Sequence, residues 1–130
     1  MKLQLMNAVV MAEDYEKVRD WYIDALDLEL EEEWTDDYHY AELVREGRLV
    51  IGIADAKEMD VAPGDRKNHA VVAQFNVADV KAFLARIVEK GGKVPFGPSH
   101  DEKGDFWFGG FTDIEGNPCW VVGMPRLMRD

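Results

Sequence analysis

The apolar residues near the start of the chain follow a strand-like pattern first and a helical pattern after it. Residues 3–11 are mostly apolar, and the run is too short and too poorly capped for a helix, so we predict a first β-strand there. From Asp14, a residue type that caps helices, apolar side chains recur at helical spacing with charged side chains on the opposite face. This pattern predicts an amphipathic helix that ends near Asp27.

The next apolar runs are strand-like and flank a turn. Residues 38–45 and 48–54 are joined by Glu46-Gly47, which is typical of a β-hairpin. The densest acidic block of the chain lies before them, within residues 29–37, and such a block is usually a solvated loop or a sheet edge. Residues 55–68 are charged and contain a proline and a glycine, so we predict a long connecting loop.

The same order of patterns then returns. Residues 70–77 are strand-like, Asp79 can cap a second amphipathic helix, and Gly91-Gly92 supplies a left-handed signal that ends it. Residues 93–100 predict a short extended piece. The two helix caps stand about 65 residues apart, a spacing that indicates an internal duplication. Each half would therefore place one helix on one face of a small sheet.

A late hairpin is the best-signalled turn of the chain. Residues 105–112 and 118–122 are strand-like, and the cluster between them contains Gly116, which can take positive φ, and Pro118, which fixes the exit from the turn. The second strand can direct one side chain toward a ligand, and we expect that side chain to be Trp120.

Composition and charge exclude several classes of protein. With 47% hydrophobic residues among 130, we expect one compact globular domain. A formal net charge of −11 opposes binding to nucleic acid or to an anionic membrane surface and would attract a cationic ligand. The sequence shows neither a secretory leader nor an apolar run of the roughly 20 residues that span a membrane. A single cysteine, Cys119, which we expect to be buried, completes the prediction of a cytoplasmic protein.

Three stretches carry a resemblance to a known family. They are Asp14-Tyr15-Glu16-Lys17 with Trp21-Tyr22 and Leu26-Asp27-Leu28, then Phe75-Asn76-Val77-Ala78-Asp79-Val80, and finally Phe111-Thr112-Asp113-Ile114-Glu115-Gly116-Asn117-Pro118. The chain resembles the vicinal oxygen chelate superfamily of glyoxalase I, extradiol dioxygenases, and fosfomycin and bleomycin resistance proteins. The resemblance implies an α+β fold of two βαβββ modules that form a curved mixed sheet around one cleft, in a homodimer. We expect one domain over residues 1–130, with a first module at about 1–55, a linker at about 56–68 and a second module at about 69–124.

The resemblance also carries the family's metal-ligand positions onto this chain, at Asn7, Gly52, Val72 and Trp120. None is a good ligand, because an amide oxygen binds weakly, glycine and valine have no side-chain donor atom, and an indole N–H only donates. His69 lies an odd number of residues before the third position, so it would face the other side of a strand. His39 and His100 are expected at the surface. We therefore predict no metal and no cofactor.

Strand parity in the family geometry selects a set of cleft-facing side chains. We predict that the ligand-binding residues are Asn7, Tyr38, Tyr40, Glu42, Gly52, Val72, Gln74, Phe106, Phe108 and Trp120. Aromatic and aliphatic walls with few polar groups are typical of a small-molecule site. Trp120 would stack on a planar ligand or hold a cation over its ring, and Glu42 would anchor a basic group. Gln74 and Asn76 would supply hydrogen bonds, whereas Trp107 is expected to face the helices.

The predicted function is small-molecule binding, similar to that of bleomycin resistance proteins, in which an aromatic cleft sequesters a planar or cationic ligand without metal. An alternative is a lyase, isomerase or dioxygenase of the same superfamily with an altered site, in which Glu42 would be the catalytic acid or base. A third possibility is a ligand-free scaffold or regulator whose pocket Trp120 itself closes. Edges left bare on each module also favour a homodimer.

Overall fold

The computed structural model describes residues 1–66 and 70–127 and separates into two compact units, Met1–Gly64 and Asp65–Asp130. Each unit contains one helix and one four-stranded mixed sheet, which confirms the predicted α+β class. No helix in residues 1–66 and 70–127 is long and apolar enough to cross a membrane.

The first unit begins with a strand and a helix, followed by three antiparallel strands. Its elements are β1 (Ala8–Ala12), α1 (Tyr15–Ala25), β2 (Glu29–Trp34), β3 (Tyr40–Arg45) and β4 (Arg48–Asp55). The strand order is β1-β4-β3-β2, with β1 parallel to β4. Asp14 caps α1 by accepting a hydrogen bond from the Lys17 amide at 3.3 Å. The centre of the sheet face on the helix side is fully buried, through Ala41, Leu43, Ile51 and Ile53.

One prediction for the first unit is confirmed and two need correction. The acidic block forms β2, a strand at the edge of the sheet, which is one of the two placements predicted for it. The first strand starts at Ala8, not at residue 3, because the parallel pairing with β4 begins at the Ala8 and Ile51 pair. The predicted strand at residue 38 begins at Tyr40, so Tyr38 lies in a bend that precedes β3.

The second unit repeats the order of the first. Its elements are β5 (Ala73–Asn76), α2 (Val80–Glu89), β6 (Lys93–Asp101), β7 (Phe106–Thr112), β8 (Pro118–Gly123) and a 3₁₀ turn (Pro125–Leu127). The strand order is β5-β8-β7-β6, with β5 parallel to β8. Asp79 caps α2 through the Ala82 amide at 3.0 Å, and Gly91 follows the helix with φ of 94°.

The core of the second unit lies between α2 and one face of its sheet. Phe111 is fully buried, with ring centroids 5.9 Å from Phe75 and 5.2 Å from Phe83. Cys119 is buried in the same layer, as predicted. The short extended piece predicted at residues 93–100 is strand β6, which pairs with β7 and continues to Asp101.

The turn between β7 and β8 is organised by one buried carboxylate. Asp113 is 2% exposed and accepts hydrogen bonds from the amides of Glu115 at 2.9 Å and Asn117 at 3.0 Å. Its second oxygen accepts from Asn117 Nδ2 at 2.8 Å. Gly116 takes φ of 86°, as the turn prediction requires. Arg66 Nε donates to Asn117 Oδ1 at 3.1 Å, which ties the start of this unit to the turn.

Candidate functional site

The face of the second sheet that lies opposite α2 carries four aromatic side chains. This second-sheet aromatic cluster comprises Phe96 on β6, Phe106 and Phe108 on β7, and Trp120 on β8. The rings of Phe96 and Trp120 meet edge to face, with centroids 6.4 Å apart and planes at 88°. Phe96 and Phe108 are 6.5 Å apart, and Phe106 and Phe108 are 6.1 Å apart. These separations lie within the range in which aromatic rings attract one another.

A glycine at the centre of the cluster makes room for one of the rings. Gly110 pairs with Phe96 on one side and with Trp120 on the other. A side chain at Gly110 would overlap the Phe96 ring, so the missing Cβ allows that ring to lie on the sheet. Trp120 remains 50% exposed beside it. The result is an aromatic surface whose largest ring is held in place and still half accessible to a ligand.

Of the two polar side chains predicted to bind a ligand here, one lies beside this surface and the other is hydrogen-bonded to the backbone. Gln74 is the cross-strand partner of Trp120 and is exposed. Within residues 1–66 and 70–127, the structure gives its amide no hydrogen-bond partner. Asn76 was predicted to bind a ligand as well, but its amide nitrogen donates to the Met124 carbonyl at 2.9 Å and its oxygen accepts from the Met124 amide at 2.8 Å. Both polar atoms of the Asn76 side chain are therefore hydrogen-bonded to the Met124 backbone.

The face of the first sheet opposite α1 carries fewer aromatic side chains than the second-sheet aromatic cluster, and it carries carboxylates. The Tyr40 ring lies over Gly52 and occupies the space that a side chain there would need. A methyl group on that glycine would be only 2.5 Å from the tyrosine oxygen. The rings of Tyr40 and Trp34 are 5.5 Å apart. Glu42 pairs across the sheet with Gly52 on one side and with Glu32 on the other. We call this set the first-sheet acidic face.

Two carboxylates directly opposite each other on neighbouring strands repel and favour a cation between or beside them. Glu42 is half-buried and Glu32 is exposed. In the part of the chain that the structure describes, neither carboxylate has a hydrogen-bond or ion-pair partner. With the two rings alongside, this face combines negative charge and aromatic surface, which are the two features that bind organic cations.

The structure brings together some of the predicted site residues and separates others. Gln74, Phe106, Phe108 and Trp120 share the open face of the second sheet, and Tyr40, Glu42 and Gly52 share that of the first. Asn7 and Val72 precede β1 and β5 and lie outside the strands. Tyr38 is 41% exposed in its bend.

One residue of these faces was missed, Phe96. It lies on β6, a strand that the sequence pattern hides because it contains two prolines and shifts its register twice. The signal that marks Phe96 is the run of two glycines on the neighbouring strand, because glycine leaves space for a large ring opposite it.

The profile of the Glyoxalase/Bleomycin resistance protein/Dioxygenase superfamily matches residues 4–121. The chain belongs to this superfamily. No curated protein matches it in sequence. Several solved structures share the fold at low sequence identity. A superfamily member from Sphaerobacter thermophilus DSM 20745 superposes with a TM-score of 0.76 at 17% identity, over 95% of this chain and 98% of that one.

Two further neighbours in fold differ in their descriptions. TnmS3, an antibiotic binding protein from Streptomyces sp. CB03234, has a TM-score of 0.68 at 18% identity, over 94% of this chain and 96% of that one. A glyoxalase-related enzyme from Fulvimarina pelagi has a TM-score of 0.72 at 14% identity, over 94% of this chain and 88% of that one. The superfamily fold thus occurs both in a binding protein and in an enzyme-related protein.

The four positions at which superfamily members bind metal do not fit a metal here. Asn7 uses its amide nitrogen to donate to the Ala8 carbonyl at 2.9 Å, and the space beside Gly52 is filled by the tyrosine ring described above. Val72 and Trp120 supply no electron-pair donor. Among residues 1–66 and 70–127 no three His, Cys, Asp or Glu side chains cluster as ligands would. His69, whose orientation was predicted, lies outside the described residues.

A polar cluster on the helix side of the first sheet was not predicted. Glu33 accepts hydrogen bonds from the Tyr15 hydroxyl and from Arg19 Nη1, both at 2.7 Å. The tyrosine bond is the main reason that the pKa of Glu33 lies below its usual range. Burial, followed by the hydrogen bond to Glu33, raises the pKa of Tyr15. This cluster joins β2 to α1.

Both remaining histidines have carboxylate partners. His39 was predicted to be a surface residue without a partner of ligand type, yet its Nδ1 lies 2.7 Å from Glu58 Oε2. That hydrogen bond is the main cause that raises the pKa of His39. His100 lies on strand β6, and its Nε2 is 3.0 Å from Asp105 Oδ1. In each pair one of the two imidazole nitrogens is bonded to a carboxylate.

Proposed function

We propose that this superfamily member binds a planar aromatic small molecule, and holds it without metal and without chemical change, on the second-sheet aromatic cluster. The observation that carries the proposal is Trp120, which is 50% exposed yet packed edge to face against Phe96 on a sheet face made of aromatic rings. A planar ligand stacked on the indole would contact the neighbouring aromatic rings at its side. The side-chain amide of Gln74, which lies on the adjacent strand, would be beside it as well.

The exposed part of Trp120 is large enough to matter for affinity. A tryptophan side chain presents up to about 250 Å² of surface, so covering its exposed half buries roughly 100 Å², worth about 2.5 kcal/mol. This corresponds to about 70-fold in Kd. Because the ring is already oriented by its neighbours, little further side-chain entropy would be lost on binding.

A basic group on the ligand is the second part of the proposal. The net charge of −11 attracts cations to the whole molecule and repels anions. The description of TnmS3 as an antibiotic binding protein supports a binding role for this fold. We therefore expect planar cations to bind more tightly than planar anions of similar size.

The test is isothermal titration calorimetry with proflavine, a planar cation, and with anthraquinone-2-sulfonate, a planar anion. We expect proflavine to bind more tightly, and Trp120→Ala to weaken its binding about 70-fold. Gly110→Ala should also weaken binding, because the added methyl group displaces Phe96. Trp107→Ala is the matched control, since Trp107 is similarly exposed, at 37%, but lies on the helix side under the Lys81 ammonium.

Two outcomes would refute the proposal. One is that neither probe binds the folded protein at millimolar concentration. The other is that Trp120→Ala and Trp107→Ala bind proflavine equally well, which would show that the exposed indole of the second-sheet cluster contributes nothing. Proflavine recovered unchanged after long incubation is expected; a new product would favour an enzyme.

A further inference from the structure

The second unit contains a groove where α2 begins. The groove has a volume of about 380 Å³ and is lined by the first residues of α2, the start of β7 and the end of β8. Its lining residues all lie between Ala78 and Pro125, so the groove belongs to the second unit alone. The volume is near the lower end of the range for small-molecule sites, about 300–1,000 Å³, which suits a small ligand.

This groove is a different surface from the second-sheet aromatic cluster. The two share Phe106, but the groove is lined by Trp107, which lies on the helix side of the sheet. Trp107 pairs with Gly123 and Trp120 pairs with Gly110, three residues further along β7, so the two indole rings project from opposite faces of the sheet. A ligand in the groove would therefore not stack on Trp120.

Lys81 brings a positive charge into the groove and is held there by an aromatic ring. Its ammonium nitrogen lies 3.9 Å from the centre of the Trp107 ring, well within the distance of about 6 Å at which a cation and a ring attract. In the part of the chain that the structure describes, this ammonium has no hydrogen-bond acceptor and no ion-pair partner. The ammonium is thus positioned, and its N–H donors remain available to a ligand.

Two carboxylates also line the groove, and they differ in their bonding. Asp79 caps α2 by accepting a hydrogen bond from the Ala82 amide, so it serves the helix. The side chain of Asp105 is 90% exposed, and His100 positions it, with Nε2 3.0 Å from Oδ1. The His100 ring in turn lies 5.0 Å from the Trp107 ring. Among the described residues, the second oxygen of Asp105 has no partner, so it can accept a hydrogen bond from a ligand.

Lys81 and Asp105 carry opposite charges in one groove and yet do not pair with each other. Over residues 1–66 and 70–127 the structure records no ion pair between them. A ligand with a single negative charge would meet the two carboxylates, and one with a single positive charge would meet the lysine. A ligand with both charges satisfies both sides of the groove. The lining residues Ala78, Val80 and Pro125 are apolar and favour an aliphatic body between the charges.

We propose that this groove binds a free α-amino acid with an aliphatic side chain. The carboxylate of the amino acid pairs with the Lys81 ammonium, and its ammonium group pairs with the Asp105 carboxylate. Both bonds join charged groups, which makes them stronger than bonds between neutral groups. Because Trp107 and His100 already hold the two protein groups, little side-chain freedom is lost on binding.

The experiment is an NMR titration of the ¹⁵N-labelled, unaltered chain with L-leucine and two analogues that each lack one charge. 3-Methylbutan-1-amine lacks the carboxylate, and 4-methylpentanoate lacks the ammonium group. We expect L-leucine to shift the signals of the Trp107 indole N–H and the Gly123 amide, with a Kd below about 1 mM. Each analogue should bind at least 10-fold more weakly, because one side of the groove is then left without a partner.

One variant and a matched control test the role of the lysine. Lys81→Gln keeps the length of the side chain and removes its charge, so we expect it to weaken L-leucine binding at least 10-fold. Lys103→Gln makes the same change in net charge at an exposed lysine that does not line the groove, and binding should stay within about 2-fold of the unaltered chain.

Three outcomes would overturn the proposal. The first is that neither signal shifts at L-leucine concentrations up to about 20 mM. The second is that either analogue binds as tightly as L-leucine, a result that is measured on the unaltered chain and does not depend on how a variant folds. The third is that the Lys81 and Lys103 variants bind L-leucine equally well. L-leucine has no ring to stack on Trp120, so none of these outcomes decides the proposed function.

Discussion

Replacing Asp113 by alanine tests whether the buried carboxylate organises the turn between β7 and β8. The carboxylate is 2% exposed and accepts three hydrogen bonds, two from amide groups of the backbone and one from the side chain of Asn117. Alanine removes both acceptor oxygens, and with them these three hydrogen bonds, without removing any donor. The two donors of Asn117 are then left buried, while the amide of Glu115 is partly accessible to water.

The size of the effect follows from these three donors. A buried donor that loses its partner costs about 1–3 kcal/mol, and a donor that water can reach costs less. We therefore expect Asp113→Ala to lower the free energy of unfolding by about 3 kcal/mol, which for a chain of this size corresponds to a fall in Tm of about 10 °C. Asp113→Asn should fall in between, because one oxygen still accepts while the amide NH₂ faces a donor.

The assay is thermal and urea denaturation followed by circular dichroism. Asp37→Ala is the control, since Asp37 is an exposed carboxylate in the bend before β3 and its loss makes the same change in net charge. A Tm for Asp113→Ala within about 2 °C of that control would refute the reasoning, because three hydrogen bonds to a buried charge would then contribute almost nothing.

Two further predictions concern the dependence of stability on pH. Because Glu58 raises the pKa of His39, this pair stabilises the fold below the ordinary histidine pKa, and the contribution is lost as pH rises through the raised value. Glu58→Gln should return the His39 pKa toward its ordinary range in an NMR titration; an unchanged pKa would contradict the assignment. The pKa of Glu33 is lowered, so its contribution is present above the ordinary glutamate pKa and lost as pH falls through the lowered value. Glu33→Gln should therefore lower Tm at pH 7 and lower it progressively less as pH falls below the ordinary glutamate pKa of about 4.3. A difference in Tm that does not shrink on acidification would argue against this assignment.

The parts of the fold that the sequence predicts well are those that depend on neighbours in the chain. Asp14 and Asp79 cap their helices within three residues, and the turn at Asp113 closes on itself within four. These contacts need no tertiary information, so local residue types are enough to identify them. The superfamily signature contains the same turn, which is why the fold class could be predicted.

The parts that the sequence predicts poorly depend on contacts between distant segments. β2 pairs with β3, and its Glu33 bonds to two side chains of α1, whereas no local propensity of four glutamates would indicate a strand. Side-chain parity can be counted along β8, whose pairing with β7 is continuous, so Trp120 was placed correctly on the open face. The same count fails along β6, where the register shifts twice and Phe96 was overlooked.

Because the two sheets have the same strand order, residues that pair across all four strands of one sheet can be compared with those of the other. One such row of four residues differs in character between the two units. In the first sheet this row runs from β1 to β2 through Val9, Gly52, Glu42 and Glu32. In the second sheet it runs from β5 to β6 through Gln74, Trp120, Gly110 and Phe96. Each row contains one glycine over which a ring lies, but the first row is acidic and the second is aromatic. The same topology thus carries an acidic row in the first unit and an aromatic row in the second, and the aromatic row is the one on which the proposed function rests.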